Sequence, residues 1–198
     1  MHPATHVLAG WCVGNALRLT AKERALCIAA SILPDIDGLG LLAGIGTYHR
    51  YHHVLGHNFT IGVFATLLTI WLARCSFKAA MAFLGLFHLH LLMDLFGSGP
   101  GWGIAYFWPW SAYMTYSSHA WSFIGWQNYA AFSFFAIWTV AIAVVYGRTP
   151  VEFIAPRFDA IALAALRKRP NQSLEPTRML GTSAAEQPRM PNTRVAHL

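Results

Sequence analysis

Charged side chains are scarce in this sequence: Asp, Glu, Lys and Arg make up 11% of its 198 residues. A soluble domain usually carries about 25%, so the composition argues against an ordinary water-soluble fold. Hydrophobic residues make up 56%, and the mean hydropathy is +0.42. The net charge of +6 is concentrated in the tail, where six basic residues stand against two acidic ones from residue 167 onward. Nucleic-acid binding would require a basic face on a folded domain, and the sequence indicates none.

Cysteine is also rare. The three that are present, Cys12, Cys27 and Cys75, form no CxxC pair, which argues against a cysteine-based structural zinc site. Each lies in or beside an apolar run, so we expect three small buried thiols.

Long apolar runs, by contrast, are plentiful, and they predict an all-α fold: a polytopic membrane helical bundle of about five helices, some of them short or re-entrant. The segments are 6–17, 25–33, 59–73, 79–96 and 121–146. Only the last comfortably exceeds the ~20 residues that cross a bilayer core. The first two are expected to be half-spans, or buried helices sheltered by the longer ones.

Composition divides the chain into three parts. Residues 1–149 are predicted to form the membrane-embedded domain. Residues 150–169 are expected to form an amphipathic, basic segment beside the membrane, with a short helix near 157–168. Residues 170–198 are polar, contain proline and lack periodicity, so we expect disorder there.

Basic residues between the segments predict the orientation, because they favour the cytoplasmic side of a membrane. They are Arg18, Lys22, Arg24, Arg74, Lys78 and Arg148. This places the N-terminus outside and the C-terminus in the cytoplasm. The acidic residues and histidines considered next then gather at the non-cytoplasmic ends of the segments.

Before residue 150 there are only four acidic side chains. Glu23 lies in a basic turn and is expected to pair with Lys22 or Arg24. The other three, Asp35, Asp37 and Asp94, lie in apolar surroundings, where a carboxylate is costly and indicates function. A bound cation is the simplest compensation, since buried charges are otherwise paired or coordinate metals.

The run "LPDID" places Asp35 and Asp37 directly after Pro34. In an extended stretch, residues two apart point the same way, so both carboxylates could reach one metal or bridge two. The alternative is a turn that ends a helix, because proline and aspartate are common in turns.

The run "HLHLLMD" contains His90 and Asp94, which share one helix face because they are four residues apart. Such a pair presents an imidazole and a carboxylate to one metal, although a buried hydrogen-bonded pair would show the same spacing. His88 points elsewhere and is interpreted as a core histidine.

The run "YHRYHHVLGHN" at 48–58 concentrates four histidines: His49, His52, His53 and His57. His57 begins the third apolar segment, where a helix would hold a ligand rigidly, and His52 or His53 could share that role. If the run were helical, three of the four would lie on one face. Arg50 could contact an anionic substrate or simply lie at the interface.

Two further histidines complete the set of candidates: His6 begins the first segment, and His119 follows a glycine- and aromatic-rich loop. Nitrogen and oxygen ligands of this kind suit zinc, manganese or iron, and the number of candidates allows one or two ions. Two non-enzymatic alternatives remain. One is a membrane metal-binding protein for transport or sensing. The other is a structural protein whose histidines bond to one another.

The order of these motifs resembles a bacterial family of membrane-bound metal-dependent hydrolases, the LexA-regulated inner-membrane type. The matching residues are "ATHVLAG", "LPDID", "HHVLGHN", "HLLMD" and "FWPW", in that order over residues 3–110. The chain departs from the pattern at His53, where the family has arginine, and at Gly56 and Asn58. The family is distantly similar to zinc-dependent phospholipase C.

The resemblance implies an integral hydrolase of the bacterial inner membrane. A metal, zinc by expectation with Mn or Fe as alternatives, would activate water to attack an ester or phosphoester of a lipid or other small amphiphile. Its expected ligands are His6, Asp35, Asp37, His53, His57, His90 and Asp94, and the general-acid candidates are His119 and His52. The expected partners are membrane lipid and a small-molecule or lipid substrate, with no nucleic acid. The oligomeric state cannot be predicted.

Overall fold

The computed structural model describes residues 1–153 and 155–167, and within them the fold is all-helical. The α-helices are α1 Pro3–Ala16, α2 Ala21–Ile32, α3 Ile45–Tyr51, α4 Phe59–Ala73, α5 Phe77–Gly97, α6 Trp126–Tyr146 and α7 Pro156–Arg167. Two 3-10 helices cover Leu33–Ala43 and Pro150–Phe153. The only β-type pairing in the described residues is one isolated antiparallel bridge between Ile104 and Thr115. The predicted fold class is confirmed.

Within residues 1–153 and 155–167, three helical stretches are long and apolar enough to cross a membrane. They are Ala21–Ala43, with 23 residues, and Phe77–Gly97 and Trp126–Tyr146, with 21 each; α4 is a shorter apolar helix. The expectation that only the last segment comfortably exceeds the length needed was wrong, because Ala21–Ala43 and Phe77–Gly97 are at least as long as α6. Pro34 lies in the first turn of a 3-10 helix that follows α2 directly, so the proline ends the α-helix without ending the helical stretch.

α1 has only 14 residues, and much of it is buried inside the bundle. Trp11 and Cys12 are fully buried and pack with Ile142 of α6. On the α2 side, a Cβ atom at Gly10 would lie 2.6 Å from the backbone oxygen of Cys27, so only glycine allows this close approach. The prediction of a helix sheltered by longer ones is therefore confirmed for α1.

One end of the bundle gathers the short turns and most of the basic residues. Lys22 Nζ donates to the carbonyl of Ala73, and Lys78 Nζ donates to the carbonyl of Leu17, both at 2.6 Å. Glu23 does not pair with Lys22 or Arg24 as expected. Its buried carboxylate instead accepts hydrogen bonds from Thr20 and Ser76, the residues that cap the N-termini of α2 and α5.

The segment after α6 returns to the bundle. Arg24 Nη2 contacts Glu152 Oε1 at 2.5 Å, and this pair holds the Pro150–Phe153 helix against α2. The following α7 confirms the helix predicted near 157–168, with Phe158 and Ile161 exposed. The disorder predicted for 170–198 concerns residues outside those that the structure describes.

Candidate metal centre

Six side chains from four parts of the fold meet at the end of the bundle opposite the basic turns. We call them the His/Asp cluster: His6 of α1, Asp35 of the first 3-10 helix, His53 and His57 of the segment before α4, and His90 and Asp94 of α5. They are separated by up to 88 residues in sequence. Five of the six are buried, and Asp35 is partly exposed.

Asp94 is the centre of this cluster. Its Oδ2 atom lies 3.2 Å from His90 Nε2, 3.3 Å from His57 Nε2 and 3.5 Å from His53 Nε2. Its Oδ1 atom lies 3.0 Å from His6 Nε2 and also accepts a hydrogen bond from the amino group of Met1. One carboxylate thus faces four imidazoles and an amine.

Asp35 completes the cluster from the opposite side. Its Oδ1 atom is 3.5 Å from His90 Nε2 and 3.9 Å from His57 Nε2. Its side chain is 26% exposed and can therefore contact both the buried cluster and solvent.

The orientation of two imidazoles is fixed by bonds on their far sides. His90 Nδ1 lies 2.6 Å from the carbonyl of Ser31, which can only accept, so this nitrogen carries the proton. His57 Nδ1 lies 3.0 Å from Asp37 Oδ2. Both rings therefore turn their Nε2 atoms inward, where these two nitrogens are 3.2 Å apart. Far-side partners of this kind are typical of metal-ligating histidines.

The residues fit a divalent cation. Two facing lone pairs at His57 Nε2 and His90 Nε2 repel each other unless a proton or a cation lies near them. Asp35 Oδ2 and both ring nitrogens of His53 are buried without a hydrogen-bond partner, an arrangement that costs free energy unless something satisfies it. One donor atom each from Asp35, His57, His90 and Asp94 lies within 4.8 Å of the others. This buried cluster could bind a metal.

The surroundings of the loop histidines affect their protonation. Burial lowers the pKa of His53, and the nearby carboxylate of Asp94 only partly offsets this. For His57, burial also opposes the charged form, but hydrogen bonds to Asp37 and Asp94 outweigh it and raise the pKa. Protons and a metal would therefore compete for the same nitrogen lone pairs.

A cavity of about 450 Å³ opens over the cluster. Asp35 and Asp94 lie on its polar side, and the aromatic rings of Tyr48, Trp102 and Phe123 line it as well. Trp102 belongs to the glycine-rich loop after α5, between Gly99 and Gly103. The cavity can therefore receive a molecule that has a polar group and an apolar part.

Six of the seven predicted metal ligands lie in the His/Asp cluster. The seventh, Asp37, lies beside it and contacts His52 and His57. The premise that Asp35 and Asp37 lie in an extended stretch was wrong, because both are in a 3-10 helix. With three residues per turn, side chains two apart point about 120° away from each other around the helix axis, so the two carboxylates point to different partners.

The run at 48–58 is not one helix, which corrects the alternative of three histidines on one face. α3 ends at Tyr51, and His53 adopts a left-handed conformation with φ +67°. His49 is exposed beside Trp102, and Arg50 is exposed over the ring of Tyr51.

The two general-acid candidates differ in their positions. His52 lines the cavity and its Nδ1 atom contacts Asp37 Oδ1 at 2.8 Å. His119 is exposed in the loop, where its backbone N–H bonds to Ser117, and it is not among the described residues that line the cavity. The structure thus brings only His52 to the cluster.

His88 turns away from the cluster, as expected: its Nδ1 atom contacts the carbonyl of Leu84 one turn earlier in α5 at 2.8 Å.

The sequence did not indicate three residues that contact the site: Met1, Ser31 and Tyr48. The first two act through a terminal amine and a backbone carbonyl, which carry no side-chain signal. Tyr48 stands beside the predicted histidines, and only its stacking on His52, at 4.5 Å between ring centres, reveals its place.

In a comparison with protein families, the chain matches the model of the YdjM inner membrane protein over residues 1–170. The chain belongs to the YdjM inner membrane protein family. No curated protein matches the chain, and no solved structure does. The family description and the apolar helices agree in placing this YdjM-family chain in a membrane, as the composition predicted.

Proposed function

We propose that this chain is a membrane-embedded metal-dependent hydrolase, with the His/Asp cluster as its metal centre. One observation carries the proposal: Asp35, His57, His90 and Asp94 converge beside an open cavity while buried nitrogen and oxygen atoms lack partners. A purely structural cluster would be expected to satisfy those atoms internally. In a binding site, by contrast, these nitrogen and oxygen atoms must remain available to bind the ligand.

In this proposal, the inward-facing atoms of the four residues hold a divalent metal, and His6 and His53 lie close enough to join them or to hold a second ion. Mixed imidazole and carboxylate ligands favour zinc, with manganese and iron as alternatives. When bound, such a metal supplies Lewis-acid activation of water, which provides a nucleophile near neutral pH. The resemblance to metal-dependent hydrolases, noted from the motif order, supports the same reaction class.

His52 is the better supported general acid. Its Nδ1 atom is occupied by Asp37, which leaves Nε2 as the ring nitrogen that can exchange a proton with a molecule in the cavity. We retain His119 as the alternative, which would require its exposed loop to move over the cavity.

The substrate class follows from the lining of the cavity and from the membrane. Carboxylates and His52 form the polar side, whereas Trp102, Tyr48 and Phe123 offer apolar surface. An ester or phosphoester of a lipid or other amphiphile combines the two properties, and it would reach this site directly from the bilayer.

We further propose that the His/Asp cluster faces the non-cytoplasmic side and that the C-terminus is cytoplasmic, because the basic turns lie at the opposite end of the bundle. A Tyr113→Cys variant, exposed at the cluster end, should react in spheroplasts with a maleimide that cannot cross membranes. The matched variant Phe77→Cys, exposed at the basic end, should react only after permeabilisation, and both variants carry Cys75→Ser because the native Cys75 is only partly buried. The reverse pattern would contradict this orientation.

The hydrolase proposal is tested with purified full-length protein in detergent. We expect stoichiometric zinc, manganese or iron by elemental analysis, and hydrolysis of a generic phosphodiester, a carboxylic ester or a phospholipid in mixed micelles. Metal depletion should abolish turnover and zinc should restore it. Bound metal without hydrolysis of any of these would favour the transport or sensing role, and absence of metal at saturating zinc would contradict both.

A further inference from the structure

Asp37 differs from every other carboxylate near the cavity, because hydrogen-bond donors from a single segment surround it. Its Oδ2 atom accepts from the backbone N–H of His53 at 3.1 Å, the backbone N–H of Gly56 at 2.9 Å and His57 Nδ1 at 3.0 Å. Its Oδ1 atom accepts from His52 Nδ1 at 2.8 Å. These four donors all lie between residues 52 and 57.

The segment is built tightly around this carboxylate. A Cβ atom at Gly56 would lie 2.2 Å from the backbone oxygen of Pro34 and 3.3 Å from Asp37 Cγ. Only glycine permits the chain to pass so close. The side chain of Asp37 is 1% exposed, so protein atoms rather than water complete its surroundings.

Asp35 shows the opposite pattern two residues earlier. Its Oδ2 atom is buried without a partner, and its Oδ1 atom is at 3.5 Å from the nearest cluster nitrogen, His90 Nε2. A carboxylate offers about four lone-pair sites. The sites of Asp37 accept hydrogen bonds from the 52–57 segment. Asp35 Oδ2 accepts none from the described residues, so its lone pairs are available to a bound cation.

We propose that Asp37 is a positioning residue and not a metal ligand: it holds the proton of His57 on Nδ1 and so directs the Nε2 lone pair of His57 into the cluster. The same carboxylate orients His52 at the cavity wall. This inference rests on the proposed function, since it assigns Asp37 a role in the metal centre that the function requires.

The test compares Asp37→Asn with Asp35→Asn in zinc titrations of the purified, metal-depleted full-length chain. Loss of a partner behind a ligating histidine typically weakens metal affinity about 10- to 100-fold. We therefore expect Asp37→Asn to show that loss while still binding the wild-type amount of zinc at saturation. Asp35→Asn should fail to reach wild-type stoichiometry at the highest zinc concentration. Equal loss of stoichiometry in both variants would make Asp37 a ligand and overturn the inference.

Nitrogen-15 NMR of histidine-labelled protein supplies a second readout, which a purely space-filling role would not change. In the wild type, with and without zinc, His57 should carry a proton on Nδ1. In Asp37→Asn, the amide oxygen should take the Oδ2 position, where three N–H groups meet, and its NH₂ group should face His52. His52 should then lose its Nδ1 proton to Nε2, while His57 keeps its own.

The wild-type spectrum keeps the inference testable even if Asp37→Asn fails to fold, because an unprotonated Nδ1 on His57 would overturn it directly. Asp159→Asn is the matched control, since Asp159 belongs to α7 and its carboxylate accepts hydrogen bonds from Thr149. It should leave both readouts unchanged. If wild-type protein binds no zinc, the proposed function fails, whereas the wild-type NMR spectrum still shows whether His57 carries its proton on the Nδ1 atom that faces Asp37.

Discussion

Replacing His90 and Asp94 together by alanine is expected to reduce the zinc affinity of the purified protein by more than about 100-fold, beyond the range seen when only a supporting partner is lost. The two residues lie on one face of α5 and contribute the Nε2 and Oδ2 atoms at the middle of the cluster. Elemental analysis after dialysis against a low zinc concentration measures the loss. Hydrolysis, if the proposed function holds, should disappear with the metal.

The effect should be large because Asp94 is not replaceable within the cluster. Among the residues that the structure describes, it alone contacts His6, His53, His57 and His90 at once. Asp35 remains in the double variant, but of the two histidines that it approaches only His57 is still present. A metal would be left with His6, His53 and His57 and with one carboxylate that reaches a single one of them.

The control for this double variant is on the same helix. His88→Ala removes an imidazole of α5 whose ring faces Phe59 and Tyr106 and bonds to the carbonyl of Leu84. It should bind the wild-type amount of zinc. Unchanged zinc content in the His90→Ala, Asp94→Ala variant would refute the assignment of the metal centre, whereas loss of zinc in His88→Ala would indicate a general defect of α5.

The pairing of His90 with Asp94 was predictable because it depends on helix geometry alone. Any helix through 79–96 places residues four apart on one face, and the apolar run left no alternative to a helix. The side chain of His88, two positions away, had to point elsewhere. Local periodicity therefore identified the part of the site that lies on one regular element.

The relation between Asp35 and Asp37 was not predictable in the same way. Two carboxylates two apart share a face in an extended chain and diverge in a 3-10 helix. The sequence around Pro34 allows both, and the choice depends on the tertiary contacts of the 52–57 segment with Asp37. Long-range packing thus decided which of the two faces the cluster.

The conformation of the 52–57 segment was likewise not predictable from the sequence. Its histidines suggested a ligand role, but their directions depend on the left-handed backbone of His53 and on the close approach of Gly56 to Pro34. Neither follows from spacing. The sequence identified the histidines of this segment as candidate ligands. Only the fold shows that His57 faces the cluster whereas His49 is exposed.

Removal of the metal should destabilise the protein measurably. A ligand that binds only the folded state stabilises it by about 2.7 kcal/mol at 100 times its dissociation constant. The cluster exists only in the fold, since its members come from α1, the first 3-10 helix, the segment before α4 and α5. We therefore expect a chelator to lower the midpoint of thermal unfolding by several degrees in detergent, and added zinc to raise it in proportion to the logarithm of its concentration.

The double variant separates this effect from others that a chelator can have. His90→Ala, Asp94→Ala removes the central carboxylate and one imidazole, so its unfolding midpoint should respond neither to chelator nor to zinc. A chelator-dependent midpoint of equal size in that variant would show that the metal acts elsewhere on the chain. If the wild-type unfolding midpoint changes with neither chelator nor zinc, no metal satisfies the buried atoms of Asp35 and His53. The case for a metal centre would then fail.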